Sequence, residues 1–369
     1  MRLGCLYKEA IEERNMDGKI VLTIDGREVE AKRGQTILEV AKANGIYIPT
    51  LCYYPETSKV GACRVCVVEV EGAKSLVTSC AVPAEPGMVV KTATKRVMDA
   101  RRLAVELIWS AGDHNCLVCE KNGNCELQDL IYQLKIEKPR FSIKPPGYEI
   151  EESNSMIQFD RNKCILCGRC VRACNEIQVN EVLEFSLRGS RAKVGPAFDT
   201  DLKDSVCVFC GECIDACPVG ALTFKQARFE GRPWEIEKVR TTCAYCGVGC
   251  QMDLNVHNGK IVKVTGNRAY GTPNQGSLCV KGRFGMDFVN HPDRVKTPLI
   301  REDGQFREAS WDEAYDFICK KIALIKKNHG ADSLAGLSSA RCSNEENYLF
   351  QKFMRAVIGT NNVDHCARL

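Results

Sequence analysis

The sequence lacks the features on which several common classes of function depend. No apolar run approaches the roughly 20 residues that a membrane helix needs. Residues 1–19 are charged throughout and contain no apolar segment, so we expect neither a membrane span nor a signal peptide. The net charge is only +4 and the basic residues are dispersed, which gives nucleic-acid binding no support. No G-x-G-x-x-G fingerprint follows a predicted strand, so we expect any NAD site to lie in another chain.

Cysteine, by contrast, is abundant, with 23 residues in a chain of 369. In a short secreted protein such a number would suggest disulfides. Here the cysteines fall in groups with metal-ligand spacing, which favours a reducing compartment, and we therefore expect a cytoplasmic protein. The length itself predicts two or three domains.

Two cysteine runs organise the middle of the chain, C-I-L-C-G-R-C-V-R-A-C and C-V-F-C-G-E-C-I-D-A-C. Each has the C-x2-C-x2-C-x3-C spacing of a bacterial ferredoxin with two 4Fe–4S clusters, in which the fourth cysteine of each run ligates the other cluster. A pair of zinc sites is the alternative, although zinc needs four ligands without this sharing. We expect one cluster on Cys164, Cys167, Cys170 and Cys217, and the other on Cys207, Cys210, Cys213 and Cys174.

The amino-terminal region has the pattern strand, turn, strand, helix. Alternating apolar residues flank Asp25-Gly26, which predicts a hairpin. Thr36–Ala43 predicts a helix capped by Thr36, with Glu39 completing the capping box. This is how a β-grasp ferredoxin begins, and the C-x10-C-x2-C-x13-C spacing that follows resembles the 2Fe–2S domain of the complex I large iron–sulfur subunit and of iron-only hydrogenases. The resemblance implies a 2Fe–2S cluster on Cys52, Cys63, Cys66 and Cys80.

A helix predicted over Thr94–Ala111, with Val97, Leu103, Leu107 and Ile108 as its apolar positions, leads to a third group of cysteines. This group resembles the 4Fe–4S domain of the same two families, which has one histidine and three cysteine ligands. In those families the histidine lies four residues before the first cysteine, where this chain has Gly112. The resemblance therefore implies His114 as the fourth ligand, and a surface histidine is the alternative. The implied set is His114, Cys116, Cys119 and Cys125.

The last cysteine group has the spacing C-x2-C-x3-C-x28-C and resembles the N-terminal 4Fe–4S domain of the molybdopterin oxidoreductase family. The resemblance implies that Lys281, two residues after the last ligand, is a buried electron relay between cluster and pterin. A zinc site and an ordinary surface lysine are the alternatives. The implied ligands are Cys243, Cys246, Cys250 and Cys279.

The segment from Ser338 to Leu369 resembles the formate dehydrogenase branch of that family. The resemblance implies that Arg341 contacts the pterin cofactor, with a surface charge as the alternative. In this branch the residue after Leu369 is the metal-binding selenocysteine or cysteine. We therefore expect the chain to be a truncated reading of a selenoprotein that is inactive alone. Two amphipathic helices are predicted before this end, one with Cys319 in its core face and one with the apolar stripe Tyr348, Phe350, Phe353 and Val357.

These patterns predict an α+β multidomain chain. Its domains are a β-grasp 2Fe–2S ferredoxin, a histidine-plus-three-cysteine 4Fe–4S domain, a bacterial-type double 4Fe–4S ferredoxin, and the 4Fe–4S domain and first part of a molybdopterin oxidoreductase. The predicted bounds are 1–18 for an extension with a short helix, 19–97, 98–138, 139–158 for a linker, 159–226, 236–295 and 296–369.

The resemblance, which covers residues 19–369, implies the electron-transfer portion of an anaerobic formate dehydrogenase that oxidises formate to CO2 or catalyses the reverse reaction. Its implied cofactors are one 2Fe–2S cluster, four 4Fe–4S clusters and a Mo or W bis-molybdopterin guanine dinucleotide. The implied partner is an electron-transfer subunit of the NAD(H)/flavin, ferredoxin or hydrogenase type. The alternatives are a stand-alone electron carrier, an iron-only hydrogenase and an NADH:quinone oxidoreductase large subunit.

Overall fold

The computed structural model describes residues 18–143, 147–269 and 271–366, in an amino-terminal unit (Met1–Ile236) and a carboxy-terminal unit (Glu237–Leu369). The helix predicted near residues 8–14 lies outside the described residues. Among the helices that are described, none combines the length and the apolarity that crossing a membrane requires.

The amino-terminal unit opens with the predicted hairpin, whose strands pair antiparallel with Ile24 opposite Arg27. The first strand buries alternate residues (Ile20, Leu22 and Ile24), because a strand turns successive side chains to opposite faces. Its five-stranded sheet has the order β2-β1-β5-β3-β4, with β5 parallel to β1. The elements are β1 (Lys19–Ile24), β2 (Arg27–Lys32), α1 (Ile37–Ala43), β3 (Val67–Val70), β4 (Val77–Thr78) and β5 (Val89–Lys91).

Helix α1 covers the core of this sheet and confirms the predicted cap. The hydroxyl of Thr36 accepts a hydrogen bond from the Glu39 amide, and the Glu39 carboxylate accepts one from the Thr36 amide. Both bonds satisfy amides that the first turn of a helix leaves without intrahelical partners.

Helix α2 (Lys95–Ser110), with Thr94 and Ala111 as its caps, confirms the helix predicted over Thr94–Ala111, but of the predicted apolar face only Val97 is buried. Leu103 and Leu107 are exposed, whereas the buried stripe is Val97, Arg101 and Val105. Arg101 is buried because its guanidinium reaches three backbone carbonyls, a set of partners that hydrophobic periodicity does not reveal.

The rest of the amino-terminal unit consists of short elements joined by loops. Strands β6 and β9 pair antiparallel and bring the two ends of the double cysteine run together. Helices α4 and α5 each begin at a glycine with positive φ, Gly168 (φ 70°) and Gly211 (φ 72°), a conformation that a residue without Cβ adopts at little cost. The elements are α3 (Glu126–Gln133), β6 (Ile157–Phe159), α4 (Arg169–Arg172), β7 (Glu184–Ser186), β8 (Lys193–Gly195), α5 (Glu212–Ala216) and β9 (Leu222–Phe224).

The carboxy-terminal unit contains a three-stranded antiparallel sheet, whose second and third strands, residues 251–257 and 260–266, form a hairpin. The sheet packs on a small core of Met252, Val264, Leu278 and Met286. The elements are β10 (Glu237–Thr242), β11 (Gln251–His257), β12 (Lys260–Gly266), α6 (Val280–Phe284), β13 (Leu299–Glu302), β14 (Gln305–Glu308), α7 (Trp311–His329), β15 (Gly336–Ser338), α8 (Asn344–Lys352) and β16 (Val363–His365).

Both predicted amphipathic helices exist as α7 and α8, but two predictions about their faces are wrong. Cys319 on α7 is exposed rather than part of a core. After α8 the chain continues as a π-helical turn, Phe353–Ile358, which places Met354 and Ile358 inside and leaves Val357 exposed. A π turn changes the phase of the helix, so a stripe read at regular helical spacing no longer marks the buried side.

Candidate metal centres

The four cysteines of the β-grasp region are brought together by three different loops. The thiol of Cys52 is in hydrogen-bonding contact with those of Cys63 and Cys80, and Cys66 contacts Cys80 in the same way. Cys52, Cys66 and Cys80 are fully buried. Hydrogen bonding to Cys52 and burial raise the pKa of Cys63 and Cys80. Thiols this close can all become thiolates only beside a cation, so the donor set fits an iron–sulfur cluster.

The loop that carries Cys66 is held from behind by polar groups. Arg101 donates from Nε to the Val65 carbonyl at 3.0 Å and from Nη2 to the Val67 carbonyl at 3.1 Å. The Ser79 hydroxyl donates to the carbonyl of Cys66 itself at 2.7 Å. The carbonyls on both sides of the ligand are therefore fixed, which orients its thiol toward the other three.

The third cysteine group borders a partly open cavity with about 300 Å³ of empty space, open solvent included. His114, Cys116, Cys119 and Cys125 all line it. Nε2 of His114 is buried without a hydrogen-bond partner among the described residues, while the backbone carbonyl of Ile108 hydrogen-bonds to the ring. Burial lowers the pKa of His114, so the ring is neutral at physiological pH. A neutral imidazole with one nitrogen oriented by a carbonyl and the other free is the state in which histidine binds metals.

Gly112 explains how His114 occupies this place. A Cβ at Gly112 would lie 2.5 Å from Nε2 of His114 and 2.9 Å from the carbonyl oxygen of Asn162. The imidazole therefore fills the space that a side chain at residue 112 would need. The glycine at the position where the resembling families have histidine makes room for a histidine two residues later.

Two residues that the sequence did not single out shape the same cavity. A Cβ at Gly220 would lie 2.3 Å from Sγ of Cys119, so only glycine fits against this thiol. Arg232 donates to the carbonyl of Leu117 at 2.9 Å and to that of Cys119 at 3.2 Å. The segment after the double cysteine run thus fixes the loop of the third group.

The double cysteine run forms two partly open cavities, with about 310 Å³ and 340 Å³ of empty space, open solvent included. Each is lined by three cysteines of one run and the fourth cysteine of the other. Burial raises the pKa of Cys164 to about 11 and of Cys167 to about 12. The first cavity contains Cys164, Cys167, Cys170 and Cys217, and the second contains Cys174, Cys207, Cys210 and Cys213.

Cavities of this kind suit a group larger than one ion. Across the part of the chain that the structure describes, no three His, Cys, Asp or Glu side chains are arranged to hold a single metal ion. The ligands of a zinc ion all lie about 2.0–2.3 Å from one centre, whereas these thiols are spread over the walls of cavities with mostly apolar linings. The residues present therefore fit cubane clusters.

In the carboxy-terminal unit, the sulfur atoms of Cys243, Cys246, Cys250 and Cys279 lie close enough to interact. Burial, followed by the charges of the other three cysteines, raises the pKa of Cys250. Cys279 is the N-cap of α6, and a Cβ at Gly282 on that helix would lie 3.4 Å from Sγ of Cys243. Like the third group, in which Cys116 is exposed, this set is partly open, because Cys279 is exposed.

The two predicted pterin-facing residues lie near this set. Lys281 is on α6 two residues after Cys279, and its side chain is exposed in this chain, so its role as a buried relay stays a prediction. Arg341 is also exposed but lies close enough to Tyr245 to act on it electrostatically. A Cβ at Gly247 would lie 3.7 Å from the carbonyl oxygen of Ala340, so the Arg341 loop borders the cysteine loop.

An ion pair between a buried arginine and an exposed glutamate ties the third group to the double run. Arg169 on α4 is buried and donates to both carboxylate oxygens of Glu126 on α3, at 2.6 and 2.7 Å. Glu126 follows Cys125 directly, and Arg169 precedes Cys170. Spacing rules assign no role to such arginines, so sequence reasoning missed Arg169 as it missed Arg101.

Five regions of the chain match known domains. Residues 17–95 match the 2Fe-2S iron-sulfur cluster binding domain, 101–140 the NADH-ubiquinone oxidoreductase-G iron-sulfur binding region, 154–223 the ferredoxin-like domain of NADH-quinone oxidoreductase subunit 3, 236–291 the molybdopterin oxidoreductase Fe4S4 domain, and 294–369 molybdopterin oxidoreductase.

Curated relatives resemble the chain over almost all of its length. The alpha subunit of NADPH-Fe(3+) oxidoreductase from Geobacter sulfurreducens is 38% identical over 95% of this chain. A subunit of NADH-quinone oxidoreductase from Rhizobium meliloti is 36% identical over 95% of it. YrhE of Bacillus subtilis, a provisionally named formate dehydrogenase, is 35% identical over 96% of it. The chain spans about 40% of the length of each of these relatives.

One solved structure is similar to part of the chain. A chain of the NAD+-reducing NiFe-hydrogenase in its H2-reduced state is 37% identical, with a TM-score of 0.54. The similarity covers 57% of this chain and 90% of that one.

Proposed function

Because the chain belongs to the molybdopterin oxidoreductase family, with amino-terminal iron–sulfur domains like those of NADH-quinone oxidoreductase, we propose that it is the electron-transfer portion of a Mo- or W-dependent formate dehydrogenase. One observation carries this proposal. The carboxy-terminal unit sets the Arg341 loop against the loop of Cys243 and Cys246, as a pterin contact next to a cluster requires.

The five ligand sets described above would hold one 2Fe–2S cluster and four 4Fe–4S clusters. When bound, such clusters each carry one electron, so together they can divide a two-electron oxidation into single-electron steps. The residues of this chain supply the thiolates and one imidazole, exclude water and place buried cations beside them. Lys281 and Arg341 would face the pterin in the whole enzyme. There Lys281 would relay electrons between the pterin and the neighbouring cluster, and Arg341 would bind the pterin.

The partner would be a subunit that binds a flavin or a nicotinamide nucleotide. The names of three relatives support this choice, since they refer to NADPH, NADH and NAD+. The nucleotide site would lie in that subunit, because no G-x-G-x-x-G fingerprint occurs in this sequence, and we place the docking surface for the subunit at the β-grasp end.

A second candidate is an NAD(P)H-linked oxidoreductase that does not use formate, which the relative from Geobacter sulfurreducens favours. The native enzyme that contains this chain separates the two candidates. We expect the purified enzyme to contain Mo or W. We also expect its EPR spectrum to show reduced clusters after formate is added anaerobically. Clusters that NAD(P)H reduces and formate does not would overturn formate as the substrate.

The assignment of His114 as a ligand has its own test. We expect His114→Ala to reduce the iron and sulfide content by as much as one cubane holds and to remove one 4Fe–4S signal from the EPR spectrum, because the free Nε2 is the fourth donor in its cavity. His329→Ala, at an exposed histidine that ends α7, is the matched control. Equal iron contents and spectra in both variants would mean that His114 does not ligate.

A further inference from the structure

The guanidinium of Arg172 lies between two of the ligand sets. Arg172 is the last residue of α4 and is buried. It donates from Nη2 to the backbone carbonyl of Cys52 and from Nη1 to that of Cys167, the latter at 3.4 Å. Nε donates to the hydroxyl of Thr57 at 3.3 Å. One cation therefore touches a ligand residue of the β-grasp set and a ligand residue of the Cys164 set.

Within the described residues, no contact ion pair neutralises this charge. No carboxylate in that part of the chain lies within ion-pair distance of Arg172, and its three acceptors are two carbonyls and one hydroxyl. Glu176, four residues later at the surface, is a carboxylate on which the charge of Arg172 acts electrostatically. Burial alone would raise the pKa of Glu176, but hydrogen bonds from Ser58 and the charge of Arg172 outweigh it and lower that pKa. Glu176 itself is held by the amide of Ser58 at 2.6 Å.

We propose that Arg172 is a shared positioning residue that stabilises the reduced forms of two clusters, the 2Fe–2S cluster and the 4Fe–4S cluster held by Cys164, Cys167, Cys170 and Cys217. This inference rests on the cluster assignments of the proposed function. Reduction adds one negative charge to a cluster, and a cation interacts strongly with that charge in a buried, low-dielectric setting. Transfer between the two clusters moves one electron, so that one is oxidised as the other is reduced, and no bond forms or breaks. A common cation raises both potentials, so it changes the driving force of this transfer less than a cation beside one cluster alone would.

Two other arginines act on one set each and provide matched controls. Arg101 binds the carbonyls on either side of Cys66 and is close enough to interact with its sulfur. Arg161 donates to the Val194 carbonyl at 2.9 Å and acts electrostatically on Cys164. Arg101 therefore belongs to the 2Fe–2S site and Arg161 to the 4Fe–4S site, whereas Arg172 belongs to both.

The test is an EPR-monitored redox titration of the full chain, loaded anaerobically with iron and sulfide. We expect Arg172→Gln to shift both midpoint potentials to more negative values, Arg101→Gln to shift that of the 2Fe–2S cluster alone, and Arg161→Gln to shift that of one 4Fe–4S cluster alone. Arg172→Lys, which keeps the charge, should restore most of both shifts. Iron and sulfide contents equal to those of the wild type, together with an unmoved potential at either cluster in Arg172→Gln, would overturn the proposal.

A second variant decides the matter if Arg172→Gln does not load its clusters. Thr57→Asp keeps Arg172 and places a carboxylate at its Nε, so we expect both potentials to become more negative with the guanidinium still bound. Loaded clusters with unchanged potentials in Thr57→Asp would overturn the shared role. Failure of the cluster assignments themselves would look different, since the wild-type chain would then lack the 2Fe–2S or 4Fe–4S signals altogether.

Discussion

Replacement of Gly266 by alanine is expected to destabilise the carboxy-terminal unit by about 3 kcal/mol, at the upper end of the range for overpacked sites. Gly266 is the last residue of β12 and pairs with Met252. A Cβ there would lie 1.7 Å from the carbonyl oxygen of Gly276 and 2.7 Å from its carbonyl carbon. These are backbone atoms, so the clash cannot be relieved by a change of rotamer. The midpoint of thermal unfolding should therefore fall clearly.

The same clash should also displace a cysteine of the candidate metal site in this unit. Gly276 lies three residues before Cys279, so a shift of its backbone moves that ligand relative to Cys243, and we expect the variant to load less iron. Gly247→Ala is the control, because its Cβ would lie 3.7 Å from the nearest atom, the Ala340 carbonyl oxygen, an ordinary contact. If Gly266→Ala unfolds at the same temperature as Gly247→Ala, the close packing of Gly266 against Gly276 is wrong.

Local rules predicted much of the secondary structure, because the residues responsible are neighbours in sequence. The Thr36 cap, the hairpin at Asp25-Gly26 and the bounds of α2 follow from such short-range chemistry. Which side of a helix is buried depends on groups far away in the chain. Arg101 lies inside because carbonyls of residues 65, 67 and 92 receive its hydrogen bonds, and no periodicity in α2 contains that information.

The ligand sets show the same division between short-range and long-range information. Cysteine spacing predicts which thiols share a cluster, and the structure places the same sets around common cavities. Spacing could not predict that Gly220 must leave room for Cys119 or that Arg172 reaches the loop of Cys52, since each contact joins residues that are 100 or more positions apart. The position of the histidine could be predicted only in part. The sequence shows that Gly112 stands where the resembling families have histidine, but only the structure shows that His114 fills the space that this glycine leaves.

The exchange of fourth ligands in the double run leads to the sharpest prediction on iron content. Cys217 lies in the cavity of the first run, and Cys174 lies in that of the second. We expect Cys217→Ala to remove the cluster held with Cys164, Cys167 and Cys170, and Cys174→Ala to remove the other. Each single variant should lose the iron of about one cubane, because a cubane that lacks one thiolate is left with an open iron.

Single variants cannot tell an exchanged arrangement from one in which each run holds its own cluster, but double variants can. If the ligands are exchanged, Cys217→Ala combined with Cys167→Ala removes no more iron than Cys217→Ala alone, since both residues serve one cluster. Cys217→Ala combined with Cys210→Ala should then remove two clusters. Iron and sulfide analysis of the purified, anaerobically loaded chain measures this directly. The reverse result, with the larger loss in the Cys167 combination, would show that each run binds its own cluster and would contradict the cavities seen in the structure.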